Sequence, residues 1–291
     1  MKTTLSVFLL LCVSTLATAQ EKSLFHKEVK RKFIVYTPAL YDSRPQQHFP
    51  VVVNYHGGGM TMREQMLYTQ MNRTADRENF IVVYPQGIKQ DWNVGFGMDY
   101  KAGIDDIGFT AAMLEMIRQI YRVDERRVYA TGLSRGGFFS LRVAAELPHM
   151  FAAVASVGGL MPHPVMAHHT KKTKVGVMLM HGTADQVVDY AGKNGDYSSA
   201  AESYQYWRMH NELAGSTLRE HRINNDKFDG TEVVRNEQSS NLASVALVTI
   251  KDGGHTWPGA DPFNVGLPIG RTSRDVDANT TIWEFLSKHH R

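Results

Sequence analysis

A single serine between glycines is the first feature of this sequence that could do chemistry. Ser134 stands at the centre of Gly132-Leu133-Ser134-Arg135-Gly136, which fits the pattern G-x-S-x-G. An apolar run precedes the pattern and a helix-like segment follows it, so the sequence predicts a tight strand-to-helix turn with the serine at its tip. The glycines leave room for the crowded backbone, which exposes the hydroxyl. We therefore predict that Ser134 is a nucleophile; a plain helix N-cap is the alternative.

A serine hydroxyl attacks at neutral pH only if a base accepts its proton and a carboxylate orients that base. Among the 13 histidines, His255 is the best placed, because it lies in a glycine-rich loop, DGGHTWPG, directly after a strand-like run. The segment HGTAD, which begins at the end of another apolar run, closes with Asp185. We predict that His255 is the base and Asp185 the acid, with Asp189 as the rival for the acid.

The oxygen that becomes negative in the transition state needs hydrogen-bond donors, and two backbone segments could supply them. One donor is the N–H of Arg135, directly after the serine. The other is predicted in the segment HGGGM, which follows the apolar run VVVNY. Gly58, Gly59 or Met60 could donate this second N–H, because glycines let the backbone approach a substrate closely. His56 is predicted to anchor the loop and to have no part in the reaction.

The segments around these motifs alternate between strand-like and helix-like patterns. Several strand-like runs are wholly apolar, which is typical of parallel strands covered by helices on both faces. The polar segment 223–244 is interpreted as a surface loop or hairpin beside the sheet. Strands are predicted at residues 32–37, 51–55, 80–84, 127–131, 152–157, 175–180 and 245–250, and helices at residues 62–78, 105–121, 200–213, 279–288 and after Ser134.

No repeat or low-complexity linker is visible, so residues 20–291 are predicted to form one domain. The predicted fold class is α/β, with a mostly parallel sheet and helices on both faces. The chain order serine, aspartate, histidine is the order found in α/β-hydrolases. We therefore predict a single α/β-hydrolase domain in which the three side chains meet at one edge of the sheet.

Composition and charge exclude several classes of protein. Of the 291 residues, 43% are hydrophobic and 21% charged, which is ordinary for a globular protein and far too apolar for a disordered one. The formal net charge is +3 and the positive residues are scattered, so neither nucleic acid nor an anionic membrane is an expected partner. The sequence carries no signal for an oligomeric state.

Residues 1–19 are predicted to be a cleavable signal peptide. A basic start at Lys2 is followed by an apolar core from Leu5 to Leu16 and by the small-x-small pattern Ala17-Thr18-Ala19. The core is too short for a membrane span, and no later segment is apolar for long enough. The only cysteine, Cys12, lies inside this segment. The sequence therefore predicts a secreted or periplasmic protein whose mature chain forms no internal disulfide.

Together the motifs resemble a family of exported esterases described as polyhydroxybutyrate-depolymerase-like, which includes bacterial feruloyl esterases of carbohydrate esterase family one. The similarity covers nearly all of the chain after residue 20 and includes HGGG, FIVVYPQG, RVYATGLSRGG, HGTAD and the most specific motif, GGHTWPG. The resemblance implies serine ester hydrolysis with Ser134 as nucleophile, Asp185 as acid and His255 as base. This mechanism calls for no metal or organic cofactor.

The resemblance also bears on the substrate. Arg135 departs from the small or amide residue that family members often have; its side chain could meet an acidic substrate group, although a helix-surface arginine is the simpler interpretation. From these residues we expect neither the linker nor the binding module that many polyester-degrading members carry. We therefore expect a small-molecule or oligosaccharide ester as substrate: a feruloyl or acetyl ester of a plant polysaccharide fragment, or a short hydroxyalkanoate oligoester. Trp257 and Trp92 are predicted to line the substrate pocket, with Phe96 and Tyr100 as further candidates.

Three alternatives to a serine esterase stay open at this stage. A serine peptidase of prolyl-oligopeptidase type would share the triad, but no propeller domain is recognisable. A non-catalytic carbohydrate-binding protein on a hydrolase scaffold would not need all three triad members. A metal site at His163, His168 and His169 lacks a paired carboxylate pattern, and a solvated loop cluster is the simpler interpretation.

Overall fold

The computed structural model describes residues 18–261 and 268–291, which form a ten-stranded sheet with helices on both faces. The strands are β1 (Thr18–His26), β2 (Val29–Thr37), β3 (Phe49–Tyr55), β4 (Ile81–Pro85), β5 (Val123–Leu133), β6 (Ala153–Val157), β7 (Gly176–Gly182), β8 (Arg219–Ile223), β9 (Glu232–Ser239) and β10 (Ser244–Lys251). The helices are α1 (Met62–Thr69), α2 (Met71–Glu78), α3 (Asp106–Ile120), α4 (Arg135–Glu146), α5 (His163–His168), α6 (Ala200–His210) and α7 (Ala278–Leu286).

The sheet has a parallel centre and antiparallel edges. Its strand order is β1-β2-β4-β3-β5-β6-β7-β10-β9-β8. Neighbours from β4 to β10 in this order are parallel, whereas the pairs that involve β1, β2, β8 or β9 are antiparallel. The carboxyl ends of the parallel strands therefore lie at one edge, where loops can bring distant residues together. The predicted fold class, an α/β protein with a mostly parallel sheet, is confirmed.

Burial explains why the central strands are apolar on both faces. Every residue of β3 and of β7 is buried. Val51 and Val53 belong to a core that includes apolar residues of α3, α4 and α6, whereas Val52 belongs to a second core with residues of α1, α2 and α7. Apolar area is thus removed from water on both sides of the sheet, which stabilises the strands and the position of the loops at their ends.

Some elements differ from the sequence-based expectation. The helix expected over residues 62–78 is two helices, because Gln70 adopts a left-handed conformation (φ 48°) between α1 and α2. The polar segment 223–244 takes the hairpin alternative: β9 lies within it and pairs with both β8 and β10. The sequence does not mark strand β1, because none of residues 19–26 is buried and no apolar face distinguishes the strand.

The predicted signal peptide falls almost wholly outside the described residues. Residues 1–17, which include Cys12, lie outside the described residues, whereas Thr18 and Ala19 begin β1. In the part of the chain that the structure describes, no helix is long and apolar enough to cross a membrane. The signal peptide and the domain boundary at residue 20 stay predictions.

Candidate active site

Ser134 lies at the turn between β5, which ends at Leu133, and α4, which begins at Arg135. Its backbone has φ 54° and ψ −119°, a conformation that costs free energy and persists only where the surroundings fix it. A β-carbon at Gly136 would lie 2.2 Å from the carbonyl oxygen of Tyr55 in β3, so only glycine fits there. The glycines thus let α4 begin directly against β3, with the serine at the carboxyl edge of the sheet.

Asp185 and His255 form a buried pair. Nδ1 of His255, in the loop after β10, lies 2.7 Å from Oδ2 of Asp185, in the loop after β7. The other carboxylate oxygen accepts the N–H groups of Val187 and Val188, both at 2.8 Å. The side chain of Asp185 is 1% exposed and that of His255 is 7% exposed. An imidazole whose Nδ1–H donates to a carboxylate leaves its Nε2 free to accept a proton.

The charge of Asp185 is stabilised in spite of its burial. Burial raises the pKa of Asp185, but hydrogen bonds from His181 and His255 lower it by more, so the pKa lies well below its ordinary value. Asp185 is therefore an anion at neutral pH. An anion in this position can stabilise the positive charge that His255 would gain as a base.

Ser134 and His255 line the same cavity, which has a volume of about 730 Å³. Gly158, directly after β6, lies against both residues. A β-carbon built on it would be 3.0 Å from Cε1 of His255 and 3.8 Å from the backbone nitrogen of Ser134. The structure thus brings the three predicted triad residues to one site, with Asp185 behind His255.

The glycine loop after β3 lies close to the start of α4. A β-carbon at Gly58 would be 3.6 Å from Cβ of Arg135. The N–H of Gly59 donates to the carbonyl of Gln90 at 2.9 Å, and that of Met60 donates to a carbonyl of its own loop at 3.1 Å. Two of the three candidate donors in the glycine loop are therefore engaged, whereas the N–H of Gly58 has no acceptor among the described residues.

His56 anchors the glycine loop. Its Nδ1 lies 2.8 Å from the carbonyl oxygen of Gly57, and its Nε2 accepts the N–H of Gly87 at 2.9 Å. Burial lowers the pKa of His56 to about 4, although the hydrogen bond to Gly57 acts in the opposite direction. The ring is therefore neutral at pH 7 and holds two segments of backbone, which is the anchoring role predicted from the sequence.

Neither tryptophan predicted to line the pocket lies on its wall. Trp92 and Trp257 are both 0% exposed and are absent from the described residues that line the cavity. The indole N–H of Trp92 donates to the carbonyl of His56 at 2.9 Å, and its ring packs edge-on against Tyr55. The indole N–H of Trp257 donates to the side chain of Asn279 at 3.2 Å. This corrects the expectation, because both rings are committed to the core and to holding the loops.

Other aromatic rings line the cavity beside Ser134. Phe96, Phe138 and Tyr197 form one wall of it. The ring centroids of Phe96 and Phe138 are 5.1 Å apart, and those of Phe138 and Tyr197 are also 5.1 Å apart. Such a wall offers an apolar surface to a planar group.

The side chain of Arg135 is already paired within the protein. Its Nε lies 2.7 Å from Oδ1 of Asp91, and one terminal nitrogen donates to the carbonyl of Phe96 at 3.0 Å. Its guanidinium also lies over the ring of Phe96, 4.7 Å from the centroid. The side chain of Arg135 is thus held within the protein at the edge of the cavity, and a contact with an acidic substrate group stays a prediction.

The histidines at positions 163, 168 and 169 are not gathered around a metal position. Nδ1 of His168 lies 2.8 Å from the carbonyl oxygen of Pro164, and Nδ1 of His169 lies 2.7 Å from the hydroxyl of Tyr206. Within residues 18–261 and 268–291, no group of three or more histidine, cysteine, aspartate or glutamate side chains could hold a metal ion.

Several residues of the site are not marked by the motifs used above, among them Asp91, Phe138, Gly158 and Tyr197. The sequence could have indicated Gly158, because two glycines follow the apolar run FAAVASV just as glycines follow the other strands of the site. Asp91 is one charged residue in a polar loop, and its pairing with Arg135 across 44 positions is visible only in three dimensions.

The fold and the site together define the class of this protein. The serine after β5, the aspartate after β7 and the histidine after β10 follow the order of an α/β-hydrolase. The chain resembles the solved acetyl xylan esterase from Aspergillus awamori with a TM-score of 0.63 at 15% identity, over 92% of this chain and 99% of that one. It also resembles a ferulic acid esterase from Anaeromyces mucronatus, with a TM-score of 0.52 at 16% identity over 83% of this chain and 85% of that one. The fold is that of an α/β-hydrolase.

The family follows from the sequence as a whole. The esterase family described as "Putative esterase" matches residues 27–258, and the chain belongs to this family. It is 29% identical over 269 residues to a protein of Nocardia uniformis subsp. tsuyamanensis named "Putative esterase NocK", a match that covers 86% of this chain and 76% of that protein. The chain is therefore a carboxylic ester hydrolase, which confirms the predicted enzyme class.

Fungal relatives support the predicted resemblance to feruloyl esterases. The chain is 27% identical over 243 residues to feruloyl esterase B of Piromyces equi, a match that covers 77% of this chain but only 42% of that protein. It is 29% identical over 162 residues to the bifunctional acetylxylan esterase/xylanase XynS20E of Neocallimastix patriciarum, which it matches over 22% of that protein's length. The part of the resemblance that concerns feruloyl esterases is confirmed, and the part that concerns polyhydroxybutyrate depolymerases stays a prediction.

Proposed function

We propose that Ser134, His255 and Asp185 hydrolyse an ester through an acyl-enzyme. Oγ of Ser134 attacks the ester carbonyl while Nε2 of His255 accepts its proton, and the same proton leaves with the alcohol. A water molecule, deprotonated by His255, then attacks the acyl-enzyme and releases the acid. The observation that supports this most directly is the buried 2.7 Å contact between His255 and Asp185, beside the cavity that Ser134 lines. Protein groups carry every step, so we expect no cofactor.

The oxyanion would be stabilised by the backbone N–H groups of Arg135 and Gly58. Arg135 directly follows the nucleophile, and Gly58 lies beside it. Gly58 is favoured over Gly59 and Met60 because the N–H groups of those two residues already donate within the protein. Donors that are fixed before the reaction need no rearrangement in the transition state, and one such donor changes kcat by about 10² to 10³.

The acyl group that fits the cavity best is aromatic. The rings of Phe96, Phe138 and Tyr197 would contact a planar acyl group beside the nucleophile, and each favourable ring pair contributes about 0.5–1.5 kcal/mol beyond burial. The names of the relatives, feruloyl esterase and acetylxylan esterase, point to esters of plant polysaccharide fragments. We therefore propose a hydroxycinnamoyl ester of a sugar as the substrate. A short hydroxyalkanoate oligoester would leave the aromatic wall without a partner.

We also propose that the protein is exported to the periplasm or beyond the cell. The support is the sequence of residues 1–19, which has the basic start, apolar core and small-x-small end of a signal peptide. Expression with the native leader, followed by N-terminal sequencing of the exported protein, tests this. A mature chain that begins at Gln20 agrees with the proposal, and a chain that keeps Lys2 contradicts it.

The catalytic proposal is tested with Ser134→Ala against methyl ferulate, an acetylated xylo-oligosaccharide and a hydroxybutyrate dimer. We expect wild-type protein to prefer methyl ferulate and the variant to lose at least about 10³-fold in kcat on every ester it accepts. Ser43→Ala is the matched control, because the hydroxyl of Ser43 is exposed and donates only to the carbonyl of Leu40. A kcat of Ser134→Ala close to that of the wild type would rule out this mechanism.

Two further measurements address the alternatives. Cleavage of a peptide anilide as fast as the matching ester would favour the peptidase. A wild-type protein whose Ser134 does not react with a fluorophosphonate would favour the non-catalytic carbohydrate-binding protein.

A further inference from the structure

Arg135 occupies a position that is unfavourable for a cation. It is the first residue of α4, where the helix dipole presents its positive end, and the first turn of α4 contains no acidic residue. Asp91 supplies the missing negative charge through two contacts of 2.7 and 3.3 Å between guanidinium nitrogens and carboxylate oxygens. The side chain of Arg135 is only 15% exposed, so the pair is partly shielded from water.

Arg135 contacts the segment 87–97, which lies between β4 and α3, at Asp91 and at Phe96. Lys89 and Gln90 in this segment both have a left-handed backbone, with φ 53° and 59°, which costs free energy unless contacts hold it. The carbonyl of Gln90 accepts the N–H of Gly59 at 2.9 Å. Asp91 therefore joins the Arg135 side chain to the loop that is proposed to stabilise the oxyanion.

The same segment carries one ring of the acyl wall. A terminal nitrogen of Arg135 donates to the carbonyl of Phe96 at 3.0 Å, and the guanidinium lies over the Phe96 ring. A β-carbon at Gly97 would lie 3.2 Å from that nitrogen, so the absence of a side chain at Gly97 leaves room for the guanidinium. One side chain thus contacts both Asp91 and Phe96.

We propose that Arg135 is a positioning residue whose side chain gives the site its preference for aromatic acyl groups. Through Phe96 it fixes the acyl wall, and through Asp91 and Gln90 it fixes the glycine loop. The inference rests on the proposed ester hydrolysis at Ser134 and deepens it, because it assigns the acyl preference to one ion pair. An ordinary surface ion pair would contribute a little stability and no specificity.

The test is to measure kcat and KM separately for Arg135→Gln and Asp91→Asn, with methyl ferulate and p-nitrophenyl acetate. A loosened glycine loop lowers kcat for both esters, whereas a displaced Phe96 weakens binding only of methyl ferulate, whose acyl group is aromatic. We expect kcat to fall about threefold to tenfold on both esters, and KM to rise about tenfold on methyl ferulate but less than about twofold on the acetate. The split between the two KM values is the readout that a merely structural role would not change.

The matched control is Arg127→Gln, which removes another arginine from a 2.6 Å pair with an aspartate, Asp124 in β5. Neither member of that pair lines the cavity as the structure describes it, so kcat and KM should match the wild type on both esters. The double variant Arg135→Gln/Asp91→Asn should be no worse than Arg135→Gln, because the two residues act as one unit. Arg135→Lys should raise the KM for methyl ferulate less than Arg135→Gln does, since lysine keeps the charge but cannot make both contacts at once.

The outcomes separate the two proposals. If wild-type protein hydrolyses no ester in a Ser134-dependent manner, the proposed function fails. If it hydrolyses methyl ferulate and the KM ratio of the two esters is the same in wild type, Asp91→Asn and Arg135→Lys, the role of Arg135 is wrong although the function stands. Both of these milder variants keep a side chain of similar length, so they provide the answer even if Arg135→Gln does not fold.

Discussion

Nε2 of His181 lies 3.3 Å from Oδ2 of Asp185, the same oxygen that His255 contacts. His181 belongs to β7, its side chain is fully buried, and its Nε2 is also 2.8 Å from the carbonyl oxygen of Val188. Since a carbonyl can only accept, we assign the proton to Nε2, which then donates to both oxygens. Nδ1 of His181 has no partner among the described residues. His181 is thus a second donor that holds the carboxylate in place.

Replacement of His181 by phenylalanine removes this donor and keeps an aromatic ring in the core. We expect a loss of about 1–2 kcal/mol in the free energy of unfolding at pH 7, together with a fall of about tenfold in kcat at nearly constant KM. Because the fold lowers the pKa of Asp185, its ionised form adds stability above the ordinary pKa of about 4, and this contribution is lost as the pH falls further. The difference between variant and wild type should therefore shrink from pH 7 to pH 3.

Urea unfolding at several pH values measures this difference. The control is His149→Phe, at an exposed position, which should leave both stability and kcat close to the wild type. A His181→Phe protein with the stability, kcat and pH dependence of the wild type would contradict the assigned role.

The triad residues could be predicted from the sequence because the parallel strands that precede them end at the same edge of the sheet. Ser134, Asp185 and His255 each follow an apolar run, and parallel strands place the ends of such runs at one edge of the sheet. No comparable rule predicts His181 as a partner of Asp185. The sequence indicates only that His181 is a polar residue at the end of an apolar strand. The direction of its ring depends on the loop that carries Val188.

The pH dependence of stability should also contain a contribution from His56. The pKa of His56 is about 4 in the folded protein and 6.5 ordinarily, so the unfolded chain binds more protons between these values. The stability that neutral His56 provides is therefore full above pH 6.5 and is lost as the pH falls towards 4, by an amount on the order of 3 kcal/mol. Urea titrations of wild type and His56→Gln from pH 4 to 7 measure it. We expect a shallower slope in the variant; equal slopes would contradict the assignment.

The sequence could not predict which N–H group of the glycine loop is free to donate to the oxyanion. Three consecutive residues were equal candidates, because the motif HGGGM says nothing about which N–H groups are already engaged. That depends on Gln90, whose carbonyl approaches Gly59 from a loop 31 positions away. The prediction for the tryptophans fails for a related reason: Trp257 lies two residues from His255 in the sequence, but its ring is buried and its N–H donates to Asn279 in α7.

Gly158 should be sensitive to the smallest possible side chain. A methyl group there would lie 3.0 Å from Cε1 and 3.1 Å from Nδ1 of His255, which forces the imidazole to move. A misplacement of about 1 Å can cost about 10²-fold in kcat, so the smaller shift that this contact requires should lower kcat by about threefold to tenfold, whereas binding of the acyl group against the aromatic wall should be unchanged. We therefore expect Gly158→Ala to lose kcat at constant KM on methyl ferulate.

The backbone strain of that substitution has a matched control. Gly195 also has a positive φ, 83° against 60° for Gly158, but a β-carbon there would meet no atom of the described structure within 4 Å. Gly195→Ala should cost about 1–2 kcal/mol of stability and leave kcat unchanged. If both variants lose the same factor in kcat, strain rather than displacement of His255 explains the loss.

The last prediction separates the tryptophans of the core from the rings of the cavity. Trp92→Phe removes the indole N–H that donates to the carbonyl of His56, and that buried carbonyl then loses a partner. The expected cost is about 1–3 kcal/mol in the free energy of unfolding, with KM for methyl ferulate within about twofold of the wild type. Phe138→Ala should instead raise that KM by about tenfold, because the removed ring contacts both Phe96 and Tyr197 in the wall. A rise in KM for Trp92→Phe as large as for Phe138→Ala would mean that the indole contacts the substrate after all.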